Sequence, residues 1–342
     1  MAYPLIIFGA GASHDFSPLG KMAPLTNDLA EDQFIHSGFL EKYKGAGNLL
    51  VEIINQVKSR KRNFEEVLTE IQNDSIKSEA MRRRFVDFEF YLRDLFSYIS
   101  KPHDLNRKIH QANNYHAIIN RIDTYTNGKA LIATFNYDSL FENSLSSLKP
   151  KNMRDYISSD IKIIKLHGSH DWGYIRRTSE MERKHLGIKD GYELSIKEPD
   201  ILKEIKEGKY DPYHIQEIEE NAEKNDFNSF PAIAIPLIGK DKYVCPTQHI
   251  KVFEQHLPQI DRVLIVGWRA EDPLLLETLK NNLPKEGGYK VLVVSWTLEG
   301  AQKIAKKVKE GLGILNDFYV QARGNGFSTF MADEASKIFF SQ

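Results

Sequence analysis

Short runs of apolar residues recur along the chain, separated by segments whose apolar positions have a helical spacing. The runs cover residues 5–8, 130–135, 161–166, 232–237, 263–268 and 289–295. Continuous apolar strands that alternate with helices are typical of a parallel sheet covered on both faces. The pattern therefore predicts an α/β fold, with a Rossmann-like parallel sheet and helices on both faces. Further helices are predicted at about 274–279, 299–312 and 331–340, and a last strand near 318–321.

Two long segments interrupt this alternation. Residues 26–125 show helical spacing and almost no strand alternation, whereas residues 171–230 are highly charged and contain the acidic run Glu217–Glu220. We therefore predict three parts: a Rossmann-like domain, a helical insertion and a charged insertion of helix and loop. The domain is predicted to comprise 1–25, 126–170 and 231–342, and the insertions 26–125 and 171–230.

Composition narrows the class of protein. The 342 residues carry a net charge of −1, which fits a soluble globular chain and gives no case for binding nucleic acid or membrane. Basic runs at 58–62 and 82–84 could contact a polyanion, but charges on an amphipathic helix usually solvate its outer face. The single cysteine, Cys245, suits a reducing cytosol, and residues 5–8 are too short for a signal-peptide core. A cytoplasmic location is predicted.

Glycines or polar residues directly follow four of the apolar runs. They are Gly9–Ser13, Asn136–Asp138, His167-Gly168 and Gly267–Asp272. Each alone has an ordinary explanation as a turn, a helix cap or a strand-end histidine. Ligands of open α/β sheets bind beyond the carboxyl ends of the strands, so the four together favour one shared pocket.

The first turn, Gly9–Ser13, is a candidate phosphate-binding element. Glycines permit close backbone approach, so Gly9 and Gly11 are expected to let main-chain N–H groups face a diphosphate. The usual dinucleotide fingerprint has another glycine three residues after Gly11, where this chain has His14. A tight strand-to-helix connection is the alternative interpretation.

At these residues the chain resembles the sirtuin family and, more closely, its bacterial sirtuin-like NAD-hydrolysing branch found in anti-phage defence systems. Gly9–Ser13 matches the family's Gly-Ala-Gly-x-Ser turn, Thr134–Asp138 its Thr-x-Asn-x-Asp segment and Leu166–Gly168 its His-Gly element. The order and spacing of the motifs agree, and the resemblance covers the sheet segments. It implies NAD+ as the bound molecule.

The resemblance also implies residue roles. Asn136 orients the water or ribose near the scissile bond, Asp138 faces the nicotinamide amide and His167 is the base. Gly9, Gly11 and Ser13 hold the diphosphate, and Gly267 and Ser295 lie near the adenosine. Asp15-Phe16 corresponds to the family's Asp-Phe-Arg loop, although Ser17 stands in place of the arginine. The full set implied to contact NAD+ is Gly9, Ala10, Gly11, Ala12, Ser13, Asp15, Phe16, Thr134, Gly168, Gly267 and Ser295.

One cysteine cannot build the four-cysteine zinc ribbon of protein-deacylating sirtuins. The resemblance therefore favours an NAD+ glycohydrolase that yields nicotinamide and ADP-ribose and depletes NAD+ in anti-phage defence. The alternatives are a non-hydrolysing NAD+ or ADP-ribose-binding regulatory module and, ranked last, an NAD-dependent protein deacylase. Cleavage by an Asn, an Asp and a His requires no metal, and His103, His110 and His116 are expected to be surface histidines.

Constitutive NAD+ hydrolysis would kill the host, so this function requires control by assembly or by another chain. We predict a homo-oligomer, with an activating ATPase or sensor protein encoded nearby as a further possible partner. Six apolar positions of the helical insertion could form an intersubunit seam, or could bury within one subunit. They are Phe34, Phe39, Leu49, Leu50, Ile53 and Ile54.

Overall fold

The computed structural model describes most of the chain. The described residues are 3–20, 23–30, 38–60, 62–75, 78–102, 108, 111–208, 210–216, 227–237, 242–285, 288–316 and 319–341. The acidic run Glu217–Glu220 and the residues Phe34, His103, His110 and Phe318 lie outside them. No helix among the described residues is long and apolar enough to cross a membrane.

A six-stranded parallel sheet has the order β3-β2-β1-β7-β8-β9. The strands of the chain are β1 (Pro4–Phe8), β2 (Ala130–Thr134), β3 (Ile161–Lys165), β4 (Gly168–Arg177), β5 (Tyr213–His214), β6 (Phe227–Ile233), β7 (Arg262–Val266), β8 (Lys290–Val294) and β9 (Val320–Arg323). Strands added after β1 extend the sheet first to one side and later to the other. The strand order therefore reverses between β1 and β7, which is the switch point of a doubly wound sheet.

Helices fill the connections between the strands. The α-helices are Ala10–His14, Phe39–Lys42, Lys44–Arg60, Phe64–Ser75, Glu79–Ser100, Asn114–Thr126, Leu140–Ser144, Asp155–Ser158, Glu180–Leu186, Gly191–Lys197, Ile201–Glu207, Thr247–His256, Pro273–Asn282, Leu298–Leu312, Gly326–Ala332 and Glu334–Ser341. Short 3₁₀ helices are Thr26–Ala30, Ser146–Leu148 and Leu257–Gln259.

Both faces of the parallel sheet are covered, because the side chains of β1 alternate between two cores. Leu5 and Ile7 belong to a cluster that includes Leu275 of Pro273–Asn282 and Ala301 of Leu298–Leu312. On the other face, the ring of Phe8 lies 5.0 Å from that of Tyr115, 5.5 Å from that of Phe141 and 6.1 Å from that of Phe327. The predicted fold class, a Rossmann-like parallel sheet with helices on both faces, is confirmed.

Burial follows position in the sheet. Every residue of the central strands β1, β2 and β7 is buried, which matches their largely apolar sequences. The edge strand β9, with the sequence VQAR, has alternating half-buried and exposed residues. The sequence signal was accordingly weakest there.

The chain divides into two compact units. The first comprises Met1–Ala23, Ile99–His167 and Asp241–Gln342 and contains the parallel sheet, and the second comprises Pro24–Tyr98 and Gly168–Lys240. The helix Asn114–Thr126, expected in the helical insertion, therefore belongs to the first unit. The predicted domain boundaries, as limits of independently folding parts, stay a prediction.

The apolar run at 232–237 is not a strand of the parallel sheet, and that prediction is wrong. Its first residues end β6, which pairs antiparallel with β4 in a separate sheet of order β5-β4-β6 within the second unit. The strand β4 was missed, because it mixes buried polar residues such as Ser169 and His170 with apolar ones. An apolar run shows that a strand is buried but does not show which strand it pairs with.

In the second unit, the basic run at 82–84 is paired with acids. Arg82 contacts Asp200 at 3.0 Å, Arg83 contacts Glu79 at 2.6 Å and Arg84 contacts Glu52 at 3.1 Å. These contacts fit the interpretation of a solvated helix face better than that of a polyanion site.

Candidate functional site

The predicted site residues of the first unit lie at one edge of the parallel sheet. Gly9 follows β1, Asn136 follows β2, His167 follows β3, Gly267 follows β7 and Ser295 follows β8. Because the strands are parallel, these positions are all at the carboxyl edge, and the turns after β1 and β7 flank the switch point.

The turn after β1 packs backbone to backbone on the turn after β7. The Gly9 N–H donates to the Val266 carbonyl at 3.0 Å, and the Gly11 N–H donates to the Gly267 carbonyl at 3.1 Å. A Cβ on Gly9 would lie 2.5 Å from the Gly267 oxygen. The N–H groups of Gly9 and Gly11 are therefore already hydrogen-bonded to carbonyl oxygens, and the expectation that main-chain N–H groups of this turn face a diphosphate stays a prediction.

Gly267 completes this contact with a backbone conformation that favours glycine. Its φ is +64°, and a Cβ there would lie 2.4 Å from the Ala12 nitrogen. Ala10 begins the short helix Ala10–His14 and is exposed, whereas Ala12 and Ser13 are buried. The turn thus directs the Ser13 side chain inward.

A buried hydrogen-bond network centres on the Ser13 hydroxyl. Ser13 donates to Asp138 Oδ1 at 3.0 Å and accepts from Asn136 Nδ2 at 2.9 Å. The Tyr115 hydroxyl lies 2.9 Å away and acts as a donor, because the single proton of Ser13 is used on Asp138 and burial raises the pKa of Tyr115 well above its usual value. Residues from three separate parts of the chain are thereby fixed to one another.

Asn136 is left with one unused polar atom. Its amide nitrogen donates to Ser13 and, at 3.4 Å, to the Tyr115 hydroxyl, and its backbone N–H donates to Thr134 Oγ1 at 3.1 Å. The amide oxygen is buried and accepts no hydrogen bond from any described residue. Asn136 as a whole is only 7% exposed. A buried acceptor without a donor costs about 1–3 kcal/mol, so this oxygen is suited to a hydroxyl of a bound molecule.

A buried ion pair between Lys165 and Glu142 contacts the backbone of Asp138. Lys165 Nζ donates to the Asp138 backbone carbonyl at 2.6 Å and to Glu142 Oε1 at 2.7 Å. Burial raises the pKa of the Asp138 carboxyl, and the charge of Lys165 and the hydrogen bond from Ser13 act in the opposite direction. Lys165 and Glu142 were not predicted as site residues, although a lysine within an apolar run indicated a buried partner.

His167 lies against an aromatic pair and an acid. The rings of His167 and Phe135 are 4.7 Å apart and nearly perpendicular, and Phe135 stacks on Trp268 at 5.4 Å. His167 Nε2 lies 3.6 Å from Asp272 Oδ2. Asp272 was noted only as part of the polar stretch after β7, and neither Trp268 nor Tyr115 carried a sequence signal for the site.

Asp15 has a structural role in this structure. Its carboxylate accepts from the Phe327 N–H at 2.6 Å, from the Ser328 N–H at 3.0 Å and from the Ser328 hydroxyl at 2.6 Å. Phe16 is buried, with its ring 5.7 Å from that of Tyr115. Asp15 thus holds the start of the helix Gly326–Ala332, and the structure shows no separate role for it at the strand ends.

The last two predicted positions are Ser295 and Gly168. Ser295 joins the ends of β8 and β9, because its N–H donates to the Arg323 carbonyl at 3.0 Å and its carbonyl accepts from the Gly326 N–H at 3.0 Å. Gly168 begins β4 in the second unit with a φ of +75°. Within the described residues, no group of three or more His, Cys, Asp or Glu side chains could hold a metal ion.

No protein-family model matches the chain, and no curated protein matches it. Solved structures of Sir2 enzymes are similar to it. One, described as the structural basis for the mechanism and regulation of Sir2 enzymes, is 15% identical over 90% of this chain and 92% of its own, with a TM-score of 0.35. Sir2 with a p53 peptide and NAD+ is 11% identical over 98% of this chain and 92% of its own, with a TM-score of 0.38.

A Sir2 homologue in complex with NAD is 12% identical over 92% of this chain and 91% of its own, with a TM-score of 0.35.

Proposed function

We propose that the protein is an NAD+ glycohydrolase. The observation that carries this proposal is the buried Asn136 amide oxygen, which no described residue hydrogen-bonds and which the Ser13 network orients at the carboxyl edge of the sheet. An acceptor placed there can bind the attacking water or a ribose hydroxyl next to the scissile bond. His167 follows the neighbouring strand β3 at the same carboxyl edge of the sheet, which supports the proposal that it acts as the base.

The proposed step breaks the bond between nicotinamide and ribose. The carbon of the ribose gains positive charge as neutral nicotinamide leaves, and the amide dipole of Asn136 favours that charge in the transition state. Water forms the new bond to carbon, and its proton passes to His167. Asp138 is assigned by the resemblance to the nicotinamide amide, and the products are nicotinamide, ADP-ribose and a proton.

The biological proposal rests on the resemblance alone. NAD+ depletion by this chain would act as the effector step of a bacterial anti-phage system, in the cytoplasm. Control would come from a homo-oligomer or from an activating ATPase or sensor protein encoded nearby, because uncontrolled hydrolysis would be toxic.

The deciding experiment measures nicotinamide release from NAD+ by the purified chain, alone and with its neighbouring gene products. Wild-type protein is expected to release nicotinamide in at least one of these conditions, and the His167→Ala variant in none, while keeping its fold. Turnover by His167→Ala would place the base elsewhere. Tight binding of NAD+ without release by the wild type would favour the regulatory-module alternative.

A further inference from the structure

His167 has an acidic neighbour whose position is fixed independently of it. Asp272 is the N-cap of the helix Pro273–Asn282, and its Oδ1 accepts from the Leu275 N–H at 2.7 Å. Proline at the first helical position has a backbone already suited to the helix. With one carboxylate oxygen held by the helix, the other lies 3.6 Å from His167 Nε2.

The His167 ring is also placed by a second element. The Phe135 ring meets it at an interplanar angle of 76°, and Phe135 is in turn stacked on Trp268 with an interplanar angle of 10°. The side chains of His167 and Asp272 are 15% and 12% exposed. Interaction between a charge and an imidazole at such burial is weakly screened.

We propose that Asp272 is a positioning residue for His167. Its carboxylate keeps a hydrogen on Nε2, so Nδ1 carries the lone pair that takes the proton from water, and it stabilises the imidazolium that forms. The separation of 3.6 Å is longer than a hydrogen bond, and such contacts tighten in the substrate complex or are bridged by water. The transfer of a proton from water to His167 rests on the proposed function.

Tyr243, a titratable side chain that the charge of Asp272 affects, does not replace that carboxylate. Burial, and secondarily the negative charge of Asp272, raise the pKa of Tyr243, so its phenol stays neutral through the range in which histidine titrates. Cys245 and Glu254 also lie within electrostatic range of Tyr243. The Asp272 carboxylate is therefore the charge that the test must remove.

The Asp272→Asn variant removes the charge and keeps the cap, because asparagine is as good an N-cap as aspartate. The matched control is Asp190→Asn, the same change at another N-cap, where Asp190 accepts from the Glu193 N–H at 2.9 Å in the second unit. The first measurement is an NMR titration of the His167 ring, whose signals are identified among the eleven histidines by their absence in His167→Ala. It requires no turnover.

We expect the His167 ring of wild-type protein to carry its hydrogen on Nε2 at neutral pH. In Asp272→Asn it should titrate about one pH unit lower, because an opposite charge at this range raises the proton affinity of an imidazole. Asp190→Asn should leave the titration unchanged. An unchanged titration in folded Asp272→Asn overturns the proposal, and Asp272→Ser, which keeps a cap but not the reach, provides the same test if the asparagine variant does not fold.

The second measurement is nicotinamide release against pH. In Asp272→Asn, kcat should fall about tenfold or more with KM changed less than about twofold, and the acidic limb of the kcat profile should move to lower pH. A structural defect would lower activity without moving that limb. If the NMR titration shifts but wild-type protein never releases nicotinamide, the positioning of His167 stands and the glycohydrolase proposal fails.

Discussion

At the scale of single residues, the proton count of one hydroxyl determines how the site is oriented. Ser13 gives its proton to Asp138 and must therefore accept from Asn136 and Tyr115. Both protons of the Asn136 amide nitrogen then point into this network. The amide oxygen is consequently turned away from the network and toward the place where a ligand hydroxyl is proposed.

This orientation leads to a prediction for Asn136→Ala. The rate of nicotinamide release should fall by about 10²-fold or more with a modest change in NAD+ affinity, because the amide is expected to act chiefly in the transition state. Steady-state kinetics and a binding isotherm on the same preparation measure the two effects. An equal loss of affinity would make Asn136 a ground-state contact.

Asn228→Ala is a matched control for that variant. Asn228 is 1% exposed, donates to Thr178 Oγ1 at 2.9 Å and also has an amide oxygen that accepts from no described residue. It lies on β6 in the second unit. Its replacement should lower stability to a similar extent and leave kcat unchanged, which separates loss of a buried amide from loss of the proposed function.

Asp138 predicts a pH dependence of stability. Because burial raises its carboxyl pKa in the folded state, the neutral form is favoured by folding, and this contribution is present below the unfolded value near 3.8 and lost as pH rises through the folded value. Asp138→Asn mimics the neutral acid. Relative to that variant, the free energy of unfolding of the wild type should therefore decrease as pH rises from about 4.

Urea unfolding of both proteins over a series of pH values measures this difference. The buried acids Asp87 and Glu89, whose pKa values are also raised by burial, are common to both proteins and cancel. A stability difference that is constant with pH would contradict the account of Asp138.

At the scale of elements, the contact between the β1 and β7 turns depends on backbone atoms alone. Gly267→Ala should lower the free energy of unfolding by more than about 4 kcal/mol or prevent folding. A Cβ there would lie 2.5 Å from the Gly11 carbonyl carbon, and the positive φ adds backbone strain. Gly313→Ala is the control, since Gly313 has a φ of +70° but its nearest neighbour is Lys280 Cε at 3.7 Å.

The control should cost only about 1–2 kcal/mol, the strain of the left-handed conformation. Thermal or urea unfolding of the two variants makes the comparison. Equal losses of stability would show that the β1 and β7 turns can separate to accommodate a Cβ. A Cβ on Gly11 would likewise meet Gly267 Cα at 2.8 Å. Loss of NAD+ binding in a Gly11 variant would therefore not by itself identify a diphosphate contact.

The elements also show what a sequence can predict here and what it cannot. The apolar runs of β1, β2, β3, β7 and β8 predicted these strands, because strands buried on both faces are mostly apolar. The strand β4 was missed and β6 was assigned to the wrong sheet, because pairing is decided by tertiary contacts that the sequence pattern does not contain.

The same limit applies to the site. Asn136 and His167 could be predicted because a parallel sheet brings the residues after its strands to one edge. Tyr115 could not, since it lies in the first turn of the helix Asn114–Thr126 and meets Ser13 only in the fold. The role of Asp272 beside His167 depends on a side-chain distance and likewise required the structure.

At the scale of the whole molecule, half of the residues predicted to form an intersubunit seam are buried inside the single chain. Leu49, Leu50 and Ile53 are fully buried within the single chain, as the alternative interpretation expected. Phe34 lies outside the described residues, and so does the side chain of Phe39. Ile54 is half-buried, so Leu49, Leu50 and Ile53 are the positions that the structure removes from the predicted seam.

The homo-oligomer itself stays a prediction. Light scattering of the purified chain at micromolar concentration should give a mass that is a multiple of 39.3 kDa. A strict monomer would contradict self-assembly and leave a separate activating protein as the proposed source of control. Repeating the measurement with NAD+ and with the neighbouring gene products tests whether assembly accompanies activity.

The strand order has a consequence for how the protein is made. The strand β1 is translated first but lies in the middle of the sheet, and its partner β7 follows 258 residues later. At roughly 5–20 residues per second, the ribosome needs on the order of 10–50 seconds to supply that partner. During this time a fully apolar strand has an open edge that can pair with another nascent chain. Slower initiation of translation or chaperone capture of the nascent segment that contains β1 should therefore raise the soluble yield.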